Sequence, residues 1–222
     1  MVGKQVSPAR EDGLEKRAAI TVERLEKLYP NARTALNWSS PWELLVAVVL
    51  SAQCTDVRVN QVTADLFKKY RSVADFAGAD PARLEQDIRP TGFFRNKTKN
   101  IIGAARVIAA EDAGQVPKTM PGLIRLPGIA RKSANIILAE AYGVIAGIPV
   151  DTHVKRLTNR LGLTKASDPV KIESEMMAIV PQTDWYRFSS VIVYHGRAVC
   201  VARKPKCDVC VLNDICPSAF RV

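Results

Sequence analysis

The sequence predicts an all-α protein that ends in a metal-binding loop. Apolar residues recur at helical spacing in one segment after another, and no stretch alternates apolar with polar residues as a strand would. The connections are short and leave little room for a sheet. Four of the five cysteines gather near the C-terminus at close intervals, which is how a metal site is spaced. About ten helices are expected around this plan.

Composition sets the class of molecule. A chain of 222 residues suffices for one large or two modest domains, and 47% apolar content supplies a real core. The 32 Lys+Arg against 22 Asp+Glu give a formal charge of +10, which points to a polyanionic partner. No apolar run approaches the roughly 18 residues of a membrane span; the longest is Leu44 to Ala52, and Met1 to Gly13 lacks the apolar stretch of a secretion signal. A cytoplasmic protein without membrane contact is expected, and clustered cysteines agree with a reducing compartment.

Residues 1 to 13 carry Lys4, Pro8, Arg10 and Gly13 without periodicity and read as a mobile basic tail. Leu14, Ala18, Val22, Leu25 and Leu28 then share one face of a first helix that ends near Tyr29-Pro30. Ser40-Pro41-Trp42-Glu43 has the form of a capping box with proline at the first helical position. Leu44 to Leu50 is apolar on every side, which places that helix in the middle of a domain. Thr55 caps the next helix, with Val59, Val62, Leu66 and Tyr70 on one face, and Asp80-Pro81 opens a short helix stopped by Pro90.

Thr91-Gly92-Phe93-Phe94-Arg95-Asn96-Lys97 follows. A ring there could press against bases while Arg95, Lys97 and Lys99 hold phosphates, or both rings could pack inward. Ile101, Ile102, Ala105 and Ile108 continue as a helix to about Ala110, and residues 111 to 120 read as a linker. An apolar helix opens after Pro127-Gly128. Thr152 to Leu161 is a basic helix ended by Gly162, Asp168-Pro169 starts another to Val180, and Trp185 to Ala198 is the last long one.

Leu126-Pro127-Gly128-Ile129-Ala130 before a helix has the form of a helix-hairpin-helix, whose turn amides at a helix N-terminus would face a phosphate oxygen; Pro-Gly in that place can also be only a turn. Lys132 lies in the first helical turn. An amine with pKa near 10.4 is neutral only about 0.04% of the time at pH 7, so a nucleophilic Lys132 needs desolvation or neighbouring cations such as Arg131 and the helix N-terminus. Asp151 stands nineteen residues on, before Thr152-His153-Val154, where a helix N-cap is the ordinary role for it. An N-cap carboxylate stays ionised, so the same group could take a proton or support a developing cation.

Cys200, Cys207, Cys210 and Cys216 read C-x6-C-x2-C-x5-C, four thiolate ligands that suit either structural zinc or a [4Fe-4S] cluster. Arg203, Lys204 and Lys206 sit between the first two, in a loop that metal would pin at both ends as a phosphate clamp. Gln53 lies at the exit of the most apolar helix, where its amide could fill a gap in a base stack or bond to backbone, and Cys54 beside it reads as a packed thiol. His153 and His195 lack paired metal spacing and read as structural or phosphate-contacting.

Ser51-Ala52-Gln53-Cys54-Thr55-Asp56, Leu126 to Asn135, Val150-Asp151-Thr152-His153 and the four cysteines, in that order, resemble the endonuclease III family of DNA glycosylases from about Leu14 to Cys216. The resemblance implies two lobes that bind DNA across the cleft between them. A six-helix barrel with the hairpin would span residues 34 to 147, and residues 1 to 33 with 148 to 222 would hold a [4Fe-4S] cluster, which decides iron against zinc. Carried over by motif, Lys132 is the catalytic amine and Asp151 the catalytic carboxylate. Gln53 enters the space left by a flipped nucleotide, and Phe93 falls where the family often has an apolar wedge. Gly128, Ile129, Ala130, Arg131, His153, Arg203, Lys204 and Lys206 would contact DNA.

One departure is visible. The family hairpin usually has glycine where this chain has Ala130, and alanine in left-handed backbone would cost on the order of 1 kcal/mol. The implied activity is a bifunctional glycosylase and abasic-site lyase that removes oxidised pyrimidines from damaged double-stranded DNA as a monomer, through a Schiff base on Lys132 and β-elimination. An adenine-mismatch glycosylase, which usually lacks the lysine, and a DNA-binding protein without activity are the alternatives. Lys132 argues against the first, and Lys132 with Asp151 against the second.

Overall fold

The computed structural model describes the backbone of residues 8–222 and the side chains from Gly13 onward. Eleven α-helices and three 3₁₀ turns are present among them, and no strand. The chain divides into two compact units, residues 34–146 and residues 1–33 with 147–222, each around its own buried cluster.

Residues 34–146 hold α2 (Pro41–Leu50), α3 (Asp56–Lys69), α4 (Val73–Ala77), α5 (Pro81–Ile88), α6 (Phe94–Glu111), α7 (Met120–Ile124) and α8 (Arg131–Tyr142). α2 is the pillar: Trp42 and every residue from Leu44 to Leu50 are buried, so α3, α6 and α8 pack on different sides of it. Its N-terminus makes half of the expected capping box. The Ser40 hydroxyl accepts the Glu43 amide, but the Glu43 carboxylate turns to the amide and hydroxyl of Ser39. Proline at the first position removes one amide that would otherwise need a partner.

The other unit holds α1 (Pro8–Leu28), α9 (Thr152–Arg160), α10 (Pro169–Ile179) and α11 (Trp185–Ala198). α1 packs on α10 and α11, and α11 on α9, over a core that includes Leu25, Val154, Met176, Phe188 and Ile192. α1 starts at Pro8, so the expected basic tail is corrected from that residue on, and the rest of that expectation lies outside the described residues. Proline is compatible with the first helical turn even where no apolar repeat announces a helix. Two helices fall where none was expected. α4 is closed by a reciprocal Ser72–Asp75 capping box, and α7 is capped by the Thr119 hydroxyl at the end of the supposed linker.

Candidate active site and cluster loop

The hairpin runs from α7 into α8. Gly128 has φ +81°, and a Cβ there would lie 2.8 Å from the Cβ of Asn100, so two separate constraints demand glycine. Ala130 is different. Its φ of −94° and ψ of 167° are extended backbone that any residue adopts, which removes the strain expected of it. Ala130 is the N-cap of α8 and makes no side-chain capping hydrogen bond. The Ile129 side chain is buried and its amide donates to the Leu126 carbonyl, so it builds the turn. Arg131 and Lys132 are exposed in the first turn of α8.

Asp151 is the N-cap of α9. Its Oδ1 accepts the amides of both His153 and Val154 at 2.8 Å, so one oxygen serves the helix and Oδ2 is left for other chemistry. Burial pushes the His153 imidazole down, and Arg156 reaches its Nδ1 at 3.1 Å. His153 is held against α11 at Gly196, where a Cβ would come within 2.8 Å of that nitrogen.

Gln53 and Phe93 are both exposed in left-handed backbone, with φ of 53° and 48°. For residues other than glycine that conformation costs roughly 1–2 kcal/mol each, and such outliers concentrate where a side chain is held out for use. The adjacent rings divide the two packing alternatives between them. Phe93 is 61% exposed, whereas Phe94 packs on the core with Arg89 and Arg95 over its face. Lys97 corrects the expectation that it holds phosphate: it is buried, and its Nζ donates to the carbonyls of Leu50 and Thr91 at 2.8 Å each. Arg95 and Lys99 remain exposed. Cys54 packs against the core as expected.

The four cysteines at 200, 207, 210 and 216 line one cavity together with Arg160, Val199 and Pro205. Four thiols lining one cavity supply the ligand number of a [4Fe-4S] cluster. The donors around them fit thiolates. Arg160 Nη1 lies 3.3 Å from Cys200 Sγ, and His195 Nε2 lies 3.2 Å from Cys210 Sγ. Burial pushes the Cys210 and Cys216 thiols up, an opposition that iron binding overcomes by taking the thiolate directly. Arg203, Lys204 and Lys206 are exposed on the loop between the first two cysteines.

Residues 46–182 match the HhH-GPD superfamily of base excision DNA repair proteins, and residues 200–216 match the iron-sulfur binding domain of endonuclease III. Endonuclease III of Synechocystis is 55% identical over 92% of this chain and 94% of its own length. The chain belongs to the endonuclease III family. A solved non-covalent endonuclease III–DNA complex matches with a TM-score of 0.88 at 39% identity, covering 92% of this chain and 96% of that one. A trapped endonuclease III–DNA covalent intermediate gives 0.88 at 38%, with the same coverage. The activity is that of a bifunctional DNA glycosylase and abasic-site lyase in base excision repair, the partner is DNA and the cofactor a [4Fe-4S] cluster. No helix among the described residues is long and apolar enough to cross a membrane.

Several residues of this endonuclease III fold carry no signal in the sequence. Arg156 bonds the carbonyls of Gly196 and Cys200, and Arg160 those of Val201 and Ala202, so two arginines of α9 hold the start of the basic loop. They lie four residues apart on one face, but a basic helix predicts solvent or DNA for them, not carbonyls forty residues away. His195 cannot contact phosphate, because it is buried. Burial also lowers its pKa to about 4, and its Nδ1 lies 3.3 Å from the Tyr29 hydroxyl. The ring thus lies between the Tyr29 hydroxyl and the Cys210 sulfur.

Proposed function

We propose that this chain excises oxidised pyrimidines from duplex DNA with Lys132 as the nucleophile and Asp151 as its carboxylate partner. The observation that carries the reading is Lys132 itself, an exposed amine in the first turn of α8, at a helix start whose N-cap, Ala130, makes no side-chain hydrogen bond. A phosphate held by the amides of that helix start brings the adjacent sugar to the lysine. The flipped nucleotide is easiest to extract where the lesion already stacks poorly. Asp151 Oδ2 is the oxygen that the helix leaves unused.

The amine of Lys132 attacks C1′, the glycosidic bond breaks and the base departs with the bonding electrons. Asp151 accepts a proton from the amine or stabilises the cationic sugar. The C1′–O4′ bond then opens, with O4′ taking a proton, and the amine at C1′ becomes an iminium; this acidifies C2′, and loss of that proton expels the 3′ phosphate. Exclusion of water by bound DNA supplies the desolvation that a neutral amine requires. Gln53 fills the space left in the stack, and Phe93 wedges beside it. Gly128, Ala130, Arg131, His153, Arg203, Lys204 and Lys206 hold the backbone. Cys200, Cys207, Cys210 and Cys216 bind the cluster, which supplies a rigid cross-link for the basic loop. The enzyme works as a monomer on chromosomal DNA in the cytoplasm, with residues 34–147 as the barrel and the remainder as the cluster domain.

Borohydride trapping on duplexes with thymine glycol or an abasic site tests the reading. The protein gives a covalent adduct that Lys132→Gln loses. Absence of both adduct and base release overturns it, and release confined to adenine mispaired with guanine assigns the site to the mismatch class.

A further inference from the structure

Lys97 is a buried ammonium that the chemistry above does not use. Its side chain, from the first turn of α6, is 4% exposed. Its Nζ bridges two backbone carbonyls far apart in the chain, Leu50 at the last residue of α2 and Thr91 at the end of a 3₁₀ turn, each at 2.8 Å. α2 has no basic residue in its own last turn, so Lys97 supplies from another helix the cation that its C-terminal carbonyls lack. Burial pulls the Lys97 amine down. A buried charge persists only where its hydrogen bonds are strong and specific, so this one fixes geometry rather than adding general stability.

The two anchored carbonyls have a further property. Three residues after Leu50 comes Gln53, and two after Thr91 comes Phe93, two of the five exposed non-glycine residues in left-handed backbone among the described residues. Neither loop has a glycine at that position to make the conformation easy, so each must be imposed from outside. The Gln53 turn closes by Cys54 N–H to the Ser51 carbonyl, and Phe93 is tied by its own carbonyl to the Lys97 amide. One residue therefore holds the base of both loops.

We infer that Lys97 is the positioning residue that sets the spacing between Gln53 and Phe93, so that both enter the duplex together when a nucleotide is flipped. This rests on the roles proposed above for those two side chains. Lys97 touches no DNA and donates to backbone alone.

Lys97→Met removes the donors at nearly constant volume, and Lys97→Gln keeps two N–H donors on a shorter, uncharged side chain. The expected result is a fall of about tenfold to a hundredfold in single-turnover release of thymine glycol from duplex DNA, the scale on which misplacement costs rate. Cleavage of an abasic site in single-stranded DNA, where no base stack must be entered, stays within about threefold. Gln53→Ala and Phe93→Ala lower duplex excision in the wild-type background and add almost nothing to Lys97→Met, because residues acting as a unit are not additive. In the free protein, hydrogen exchange rises at residues 51–54 and 92–97 and stays slow inside α2. If the variants lose duplex and single-strand activity equally, or keep both, or if the Gln53 and Phe93 effects add in full, the inference fails. Should Met unfold the protein, Gln decides on the same readouts. A wild-type protein that forms no adduct through Lys132 overturns the proposed function instead, so the two failures are distinguishable.

Discussion

Asp151 Oδ1 accepts two amides at the start of α9, and asparagine would accept them almost as well, so substitution can separate capping from chemistry. Asp151→Asn should leave the unfolding free energy within about 0.5 kcal/mol. It should lower single-turnover base excision by roughly 10²–10⁴ through loss of the carboxylate. Denaturant titration beside excision kinetics checks this, and an activity loss that merely tracks lost stability would leave Asp151 a cap alone. The hairpin allows a second test at single positions. Gly128→Ala places a Cβ 2.8 Å from Asn100 at φ +81° and should destabilise by about 1–2 kcal/mol, with weakened DNA binding. Ala130→Gly, in extended backbone, should only enlarge the unfolded ensemble, costing about 0.4–1 kcal/mol without tightening DNA binding. A gain of stability from glycine at 130 would show that this corner needs left-handed backbone after all.

At the level of the element, the basic loop of residues 201–206 lies between two of the cysteines proposed to bind the cluster, and arginines of α9 hold its start. Arg156 and Arg160 claim the carbonyls of residues 200–202, leaving Arg203, Lys204 and Lys206 exposed. Cations on such a support keep their spacing, so each one that meets a phosphate displaces counterions. Changing each in turn to Gln should reduce the slope of log K against log salt by about 0.9 for every phosphate that the residue neutralises. Fluorescence anisotropy across a salt series measures it, and an unchanged slope assigns that residue to solvent. Helices of this length were legible from apolar spacing and caps, as the bounds of α2, α10 and α11 show. α4 and α7 were not, because five residues cannot display a repeat, although Ser72 with Asp75 and Thr119 with Pro121 mark their starts. At the candidate site, the placement of Lys132 in the first turn of α8, of Asp151 as the N-cap of α9 and of the four cysteines around one cavity was legible because each is local to a motif. The burial of Lys97 and the left-handed backbone at Gln53 and Phe93 were not, since tertiary contacts impose them and no glycine advertises them.

For the molecule as a whole, the chain leaves the unit that contains α1 at residue 33 and rejoins it at residue 147. The unit that carries the cysteines therefore depends on contacts between distant parts of the sequence. Its buried cluster includes Leu25 of α1, Phe188 and Ile192 of α11 and Leu212, with Cys200, Cys210, Ile215 and Cys216 packed against it. Arg24 bonds the Val211 carbonyl and Asp214, and Tyr29 reaches His195, which faces Cys210. Metal binding to the folded state adds its free energy to that unit, and withdrawal removes it from the same place. The cluster of residues 34–146 draws only on residues of that unit and contains none of the four cysteines. Anaerobic chelation of iron should therefore speed hydrogen exchange in residues 13–33 and 147–222, most of all after Val199, while exchange inside α2 and α8 stays slow. Mass spectrometry of the exchanged protein before and after chelation provides the comparison. Equal loss of protection in both units would mean that the two cores unfold as one, and no loss in either would mean that the cluster contributes nothing to holding its unit together.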